Sequence, residues 1–476
     1  MTTEQQLPEG WKETTLGAEF EWSSGGTPKS GVPAYYENGS IHWLNISDLN
    51  DGLISYAEKK ITELGLQESS AKIVPQGSVL IAIYGSIGKL GINTIPLATN
   101  QAICFTKKIP EYILNKFLFY YLLSIRNQLI SMGKGGTQQN ISQTVLKSVP
   151  FLYPTSKETQ QAIVNKIESL FDETDEGIGR LKTAAQQIQQ YRQSLLKNAF
   201  SGELTKEWRS KHADALPSEN ELLTQIQTTR EQHHAQQLAD WQTAVSQWEQ
   251  NGKEGKKPSK PKAPTQAVKF EENFADLPNG WIWGKLSDLG ELARGKSKHR
   301  PRNDKKLFGG KYPFIQTGEV RAANRIIKKY EQTYSEFGLE QSKLWQKGTL
   351  CITIAANIAE TAFLGFDACF PDSIVGFSAS KAVLPEYIEL FIKSARTKIE
   401  SYAPATAQKN INLNTLENLI VPYCSLTEQT QIVAILESKL TACDQLADEL
   451  AKQLKQAELL KQVVLKAAFS GSLLDK

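Results

Sequence analysis

Histidine and cysteine are scarce here, and neither is arranged for chemistry. The five cysteines of the 476-residue chain, Cys104, Cys351, Cys369, Cys424 and Cys443, are odd in number and contain no C-x-x-C pair. That excludes a disulfide framework or zinc site as an organising principle and fits reduced thiols in the cytoplasm. The five histidines, His42, His212, His233, His234 and His299, show no metal-ligand spacing. No apolar run approaches the roughly 18 residues of a membrane span, so no membrane partner is expected. The start, Met1-Thr2-Thr3-Glu4-Gln5-Gln6, carries neither the basic nor the apolar part of a secretory signal. No G-x-x-x-x-G-K-[ST] loop occurs; Gly85-Ser86-Ile87-Gly88-Lys89 has the wrong glycine spacing, so nucleotide hydrolysis has no support. No Asn-Pro-Pro-aromatic segment would hold a flipped adenine, and no glycine-rich loop suits a cofactor, so methyl transfer is not expected of this chain alone. A net charge of +3 is too small to indicate a polyanionic partner by itself, although a local excess would permit one.

What the chain does have is a duplication. Leu7-Pro8-Glu9-Gly10-Trp11 returns 270 positions later as Leu277-Pro278-Asn279-Gly280-Trp281, and Leu196-Lys197-Asn198-Ala199-Phe200-Ser201-Gly202 returns after 269 as Leu465-Lys466-Ala467-Ala468-Phe469-Ser470-Gly471. Gln138, Asn140 and Ile141 recur as Gln408, Asn410 and Ile411. A unit of this size is a domain pair, since solenoid repeats run to about 20 to 50 residues. Two similar domains suit a target with two similar parts.

Each copy has two textures. Residues 1–155 and 276–426 mix short apolar runs with Gly, Asn, Ser and Pro punctuation, the pattern of irregular, strand-rich α/β structure. Residues 156–202 and 427–476 are rich in Gln, Ala, Lys and Glu with few breakers, which predicts long helices. Ile167, Thr174, Leu181, Ile188 and Leu195 fall seven apart, with Ile163, Leu170, Gly177, Ala184 and Tyr191 as the alternate row. The second copy gives Leu436, Cys443, Leu450, Ala457 and Val464 with Ile432, Lys439, Leu446, Gln453 and Leu460. Two such seams on one chain can satisfy each other, making a rod of about 60 Å from about 40 residues. Between the copies, residues 203–275 read as a polar helix near 219–249 and then a Lys/Pro-rich, extended, solvated linker.

Binding chemistry is concentrated in a few loops. Arg294, Lys296, Lys298, Arg300, Arg302, Lys305, Lys306 and Lys311 share a segment with one acid, Asp304, a composition suited to phosphate and guanine edges. The equivalent segment of the first copy, with Ser24, Thr27, Lys29 and Ser30, is small and hydroxyl-rich. Different chemistry at equivalent positions would let the copies read different sequences. Tyr84, Ser86 and Lys89 in the first copy, and His299, Gln316 and Thr317 in the second, complete the candidate DNA contacts. Thr137, Gln138 and Asn140, with Gln408 and Asn410, offer amides able to pair with adenine, or serve the junction between domain and helix.

In motif order the whole chain resembles the specificity subunit of a Type I restriction-modification system: Leu-Pro-x-Gly-Trp opening each half, the Gly136-Thr137-Gln138-Gln139-Asn140-Ile141 loop, Pro150 or Pro422 before the Gln-rich helix, and Ala-Phe-Ser-Gly closing it. The segment from Gly295 to Gly318 also resembles a recurrent target-recognition domain. The resemblance implies an α+β architecture: two α/β target-recognition domains in tandem, each followed by a long helix, the helices pairing as an antiparallel coiled coil. It implies a bipartite asymmetric site in double-stranded DNA, two modification subunits that bring S-adenosylmethionine and methylate adenine N6, and restriction subunits that use ATP and magnesium. The segment 203–275 departs from the duplicated pattern, although Glu203-Leu204-Thr205-Lys206-Glu207-Trp208-Arg209 resembles the sequence after the helix in some members. On the residues alone, a solitary two-site DNA-binding or architectural protein, or a coiled-coil scaffold that meets no DNA, stays open.

Overall fold

The computed structural model describes residues 7–134, 139–255, 257–267, 276–404 and 410–474. The chain divides into two compact units, residues 1–185 with 448–476, and residues 186–447. Each contains one copy of the same mixed sheet. In the first unit β2 (Glu21–Ser24), β3 (Gly52–Ile54), β4 (Val79–Ala82), β5 (Leu90–Asn93) and β6 (Ile103–Lys108) take the order β2-β6-β4-β5-β3, antiparallel except for the β5/β3 edge. Strand β1 (Trp11–Thr15) pairs separately with β7 (Pro150–Pro154), Trp11 opposite Pro154, which ties the start of the domain to the entry of its long helix.

The second unit repeats this. Strand β8 (Trp281–Lys285) pairs with β14 (Ile420–Cys424), Trp281 opposite Cys424. Strands β9 (Gly290–Arg294), β10 (Ile326–Ile327), β11 (Leu350–Thr353), β12 (Thr361–Leu364) and β13 (Ile374–Ala379) take the order β9-β13-β11-β12-β10, again with one parallel edge. The central strands β4 and β11 are buried along their whole length, which is why they read as continuous apolar runs. A helix covers each sheet, α1 (Asn115–Ser124) in the first unit and, in the second, α4 (Pro385–Ser401).

The two long helices are α2 (Lys157–Phe200) and α5 (Leu426–Phe469). Ser156 and Ser425 accept from the backbone N–H three residues on, opening each helix. Gly202 and Gly471, at φ +80° and +81°, take the left-handed conformation that stops it. A buried glutamine anchors each first turn: Gln160 donates to the carbonyls of Tyr112 and Pro154 and accepts from Leu114 N, and Gln429 accepts from Leu384 N and donates to the Cys424 carbonyl.

The helices pack together in antiparallel fashion, as their seams predict, but the frame needs correction. The inward rows are Ile167, Thr174, Leu181, Ile188 and Leu195 with Phe171, Ile178, Ala185, Arg192 and Ala199, and in α5 Leu436, Cys443, Leu450, Ala457 and Val464 with Leu440, Ala447, Leu454, Lys461 and Ala468. The alternate row lies one residue beyond the expected one. Tyr191, Leu446 and Leu460, placed on the seam by the sequence, are 47%, 57% and 48% exposed. A row three or four residues on completes an apolar stripe equally well. Here the later row faces inward, with Ala185, Ala199, Ala447 and Ala468 and the half-buried cations Arg192 and Lys461, while Lys439 and Gln453 stay in solvent.

The closing Ala-Phe-Ser-Gly motifs do not close their own copies. Phe469 lies in the first unit, edge-on to Phe117 and Tyr121 of α1 with centroids 5.3 and 5.2 Å away. Phe200 lies in the second, edge-on to Tyr387 and Phe391 of α4 at 5.2 and 5.3 Å. A Cβ on Gly202 would stand 2.5 Å from Pro278 Cγ and one on Gly471 2.4 Å from Pro8 Cγ, so the opening and closing motifs that meet come from opposite copies.

The segment 203–275 is also better integrated than its composition suggests. Helix α3 (Glu219–Gln250) buries Leu222 and Ile226 in the second core. The Lys/Pro-rich stretch that follows returns along it: Trp241 Nε1 donates to the Pro258 carbonyl at 3.0 Å, Lys260 and Lys257 lie over the rings of Trp241 and Trp248, and Ala267 N donates to Gln227. Proline removes donors without preventing this packing, because side chains of the helix supply the bonds. No described helix is long and apolar enough to cross a membrane.

Candidate nucleic-acid interface

Strand order decides which loops meet. In the first unit β2 and β4 end, and β5 and β6 begin, at the same end of the sheet. The loop after β2, the turn 84–89 and the connector before β6 therefore converge. Gly26 N donates to the Thr99 carbonyl, Ile83 N to the Ala102 carbonyl, and Thr27 Oγ1 to Gln101 Oε1. Segment 139–141 joins them: Tyr84 bridges Asn140, and Ile141 N donates to the Ile83 carbonyl at 2.9 Å. Close approach explains Gly25 and Gly26, where a Cβ would fall 2.1 Å from the Thr99 carbonyl oxygen and 2.3 Å from Ser70.

The expected contacts take different places in this cluster. Thr27, Lys29, Ser30, Tyr84 and Ser86 are exposed, and Lys89 is half-buried. Ser24 turns its hydroxyl to Cys104 Sγ at 3.2 Å and is occupied within the sheet. Asn140 is exposed, with its backbone paired to Lys134 and Tyr84. Thr137, Gln138 and Gln408 lie outside the described residues.

The same end of the second sheet carries the cationic segment. Arg294 donates through Nε and Nη2 to the Asp372 carbonyl, and Arg302 forms an ion pair with the Asp372 carboxylate at 2.9 Å. Arg300 donates to the carbonyls of Ser297 and His299. His299 Nε2 meets Asp304 at 2.8 Å; the Lys306 backbone N–H and then His299 hold that carboxyl below its usual range. The three arginines expected to face DNA are thus occupied in shaping their own segment. Lys296, Lys298 and Lys305 are exposed and make no ion pair among the described residues. Gln316 caps the helix Thr317–Ala322, its backbone N–H donating to Glu319 and its amide to Gln332, which leaves Thr317 half-buried at the first turn.

Sequence reading missed the counterpart of the 84–89 turn. Residues 355–360 repeat it at offset 271: Ala355 bridges Asn410, Ile411 N donates to the Ile354 carbonyl at 2.9 Å, and Ala359 N to the Thr353 carbonyl at 2.9 Å. The retained signal was one buried isoleucine, Ile87 or Ile358, at the centre of each turn. Each cluster therefore gathers polar and cationic groups at one end of its sheet, with different side chains on a common backbone.

The family profile described as Type I restriction modification DNA specificity domain matches residues 8–185 and 278–456. The chain belongs to that family. Its two target-recognition domains are the two sheet-bearing units. The specificity subunit of the Type I restriction enzyme EcoKI from Escherichia coli K12 is 23% identical over 98% of this chain and 90% of its own length. The E. coli EcoBI and EcoR124I/EcoR124II specificity subunits are 29% and 31% identical over 47% and 39% of this chain. Those two matches span about half the length of each relative, 49% and 47%. Among solved structures, a chain from the type I R-M system superposes with a TM-score of 0.69 at 17% identity, covering 98% of this chain and 100% of its own. The HsdS subunit from Thermoanaerobacter tengcongensis superposes at 0.57 and 17% identity, covering 99% of both. At that identity the likeness speaks for the fold.

Proposed function

We propose that this chain is a non-catalytic DNA-specificity subunit whose two target-recognition domains each read one half of a bipartite, asymmetric site in double-stranded DNA. The paired helices set the gap between the halves and dock two modification subunits. Those subunits carry S-adenosylmethionine, while the restriction subunits use ATP and magnesium for translocation and cleavage. The observation that supports this reading best is the repetition of one loop cluster with different chemistry in each copy: hydroxyls at Thr27 and Ser30 in the first, lysines at 296, 298 and 305 in the second. A cytoplasmic location accompanies this role.

The test is methylation of a library carrying random half-sites and random gaps by the chain together with its modification subunits. The reading expects one asymmetric pair of half-sites with a fixed gap. Matched four-residue insertions in both long helices should widen that gap by about one or two base pairs, since four helical residues add about 6 Å. DNA binding by the chain that directs no methylation when modification subunits are added would favour a solitary architectural protein. Methyl transfer by the purified chain alone would sink the assignment.

A further inference from the structure

The paired turns are built alike and finished differently. The second and fifth residues of each take left-handed backbone: Gly85 and Gly88 at φ +68° and +81°, Ala356 and Ala359 at +64° and +61°. Alanine in that region is strained, and such strain persists only where the surroundings over-determine it. The surroundings here include one arginine in each copy. Arg126 donates through Nε to the Gly88 carbonyl at 2.7 Å and pairs with Asp51. Arg396, 270 positions later, instead reaches Glu360 at 2.8 Å and Glu400 at 2.8 Å. This difference explains the glycine. A Cβ on Gly88 would fall 2.9 Å from Arg126 Cγ, whereas in the second copy the arginine grips the next side chain and alanine fits. The partner of Arg126 is replaced as well: the residue that precedes the parallel edge strand, Asp51 at φ +60°, becomes Arg325 at +65°, which pairs with Glu389 and Glu437.

The charge of the turn therefore differs between copies. The first presents Lys89, which makes no ion pair among the described residues; the second presents Glu360, already neutralised by Arg396. In the second domain positive charge comes from the adjacent segment, whose Arg294 and Arg302 anchor on Asp372, and the next residue, Ser373, accepts through its carbonyl from Ile354 N at the root of the turn. That leaves one side chain at the centre of the second turn uncommitted. Asn357 is half-buried and its amide makes no hydrogen bond among the described residues. Ser86 occupies its place in the first turn, exposed on the same backbone.

We propose that Asn357 reads a base edge, adenine by the chemistry of its amide, in the half-site of the second domain, and that Arg396 and Glu360 are positioning residues that hold it there. This rests on the proposed function, and it assigns a reader to a turn that carries no cation of its own. A carboxamide can donate to adenine N7 and accept from N6, a pairing that serine cannot reproduce. The lysines of the neighbouring segment neutralise phosphate while the turn discriminates.

The experiment uses the full chain with its modification subunits on the random half-site library, comparing Asn357→Ala, Asn357→Ser, Arg396→Ala and Arg396→Ala/Asn357→Ala. Both Asn357 variants should lose discrimination at one position of one half-site by roughly 10- to 100-fold. The other half-site should be read as before. Arg396→Ala should lose discrimination at that same position, and the double variant should lose no more than Asn357→Ala alone, a non-additivity that a merely structural role would not produce. If the unsubstituted complex shows no bipartite preference, the functional reading fails and takes this inference with it. If that complex discriminates normally and both Asn357 variants match it at every position, only the assignment of Asn357 is overturned.

Discussion

Both Nη atoms of Arg192 donate to a single oxygen of Asp444, each at 2.6 Å. Shifting the pair by 269 positions with the helices exchanged lands on Lys461 and Asp175, and these too meet at 2.6 Å. The duplication thus preserved a contact between helices, not merely the helices. The two aspartates are 62% and 60% exposed, so neither pair is worth more than about 0.2–1 kcal/mol. Their value lies in register: the cations occupy the seam row, and each has one acid within reach.

Arg192→Glu should therefore place like charges opposite each other and lower the midpoint of thermal unfolding by a few degrees, about 2–4 °C per kcal/mol for units of this size. Combining it with Asp444→Arg should restore the midpoint. High salt should shrink the difference, because exposed charges are screened. A double variant no better than the single one would show that register is set by apolar packing alone.

The exchange of Phe200 and Phe469 makes a sharper prediction. Truncating a buried phenylalanine costs about 3–5 kcal/mol. Phe200→Ala should destabilise the second domain by that amount although the residue belongs to the first copy, and Phe469→Ala, at a half-buried position, should destabilise the first by less. Hydrogen exchange in α1 and α4 separates these outcomes. Faster exchange in α1 after Phe200→Ala would contradict the packing described.

Much of the architecture was legible in the chain. The long helices follow from two 44-residue stretches without proline, broken only by Gly177 and Gly179 in the first, and their pairing follows from a seam that recurs at the same offset. The alternate row was misread because Leu446 and Leu460 look like seam residues while Arg192 and Lys461 do not. Which copy each phenylalanine closes was not legible: a motif repeated at one offset states what recurs, not which copy it touches. The loop cluster was hidden for a related reason. Gly25, Tyr84, Gln101 and Asn140 are scattered over more than a hundred positions and meet only because β6 lies between β2 and β4. The turn 355–360 escaped because both glycines became alanine, so its backbone conformation left no local mark.

The beginning of segment 203–275 should prove indispensable. Glu428 is fully buried and holds Arg209 Nη1 at 2.6 Å, Thr205 Oγ1 at 2.7 Å and Trp281 Nε1 at 2.9 Å. Removing one partner of a buried pair costs about 3–5 kcal/mol because the other charge is left uncompensated. Arg209→Met should show that loss in the second domain, and adding Glu428→Leu should recover much of it. Equal stability of Arg209→Met and the unsubstituted protein would mean that solvent reaches Glu428.

The thiols give a pH prediction. Burial raises Cys104, Cys351, Cys369 and Cys424 above the ordinary thiol value. A raised folded value means these groups contribute stability in full below the unfolded thiol value, near 8.5, and lose it as pH rises. Unfolding free energy should therefore gain a downward slope above about pH 8.5. Iodoacetamide at pH 8 should label these four positions only in denaturant, since the thiolate is the reactive form. Prompt labelling of Cys351 in the folded protein would show that its site opens readily.

The last prediction separates lysine from arginine in the cationic segment. Lys296, Lys298 and Lys305 are exposed without an ion pair among the described residues, whereas Arg294, Arg300 and Arg302 are bound to carbonyls or to Asp372. Each phosphate contact contributes about 0.9 to the slope of log affinity against log salt, so Lys→Ala at all three positions should reduce that slope by roughly two to three and weaken binding to every sequence alike. Arg302→Ala should act otherwise. It frees Asp372, loosens the connector that carries Ser373, and so should blur discrimination in one half-site while changing the slope by well under one. Salt titrations of specific and nonspecific duplexes measure both quantities. A full unit of slope lost on Arg302→Ala would place that guanidinium on phosphate and not on its own loop.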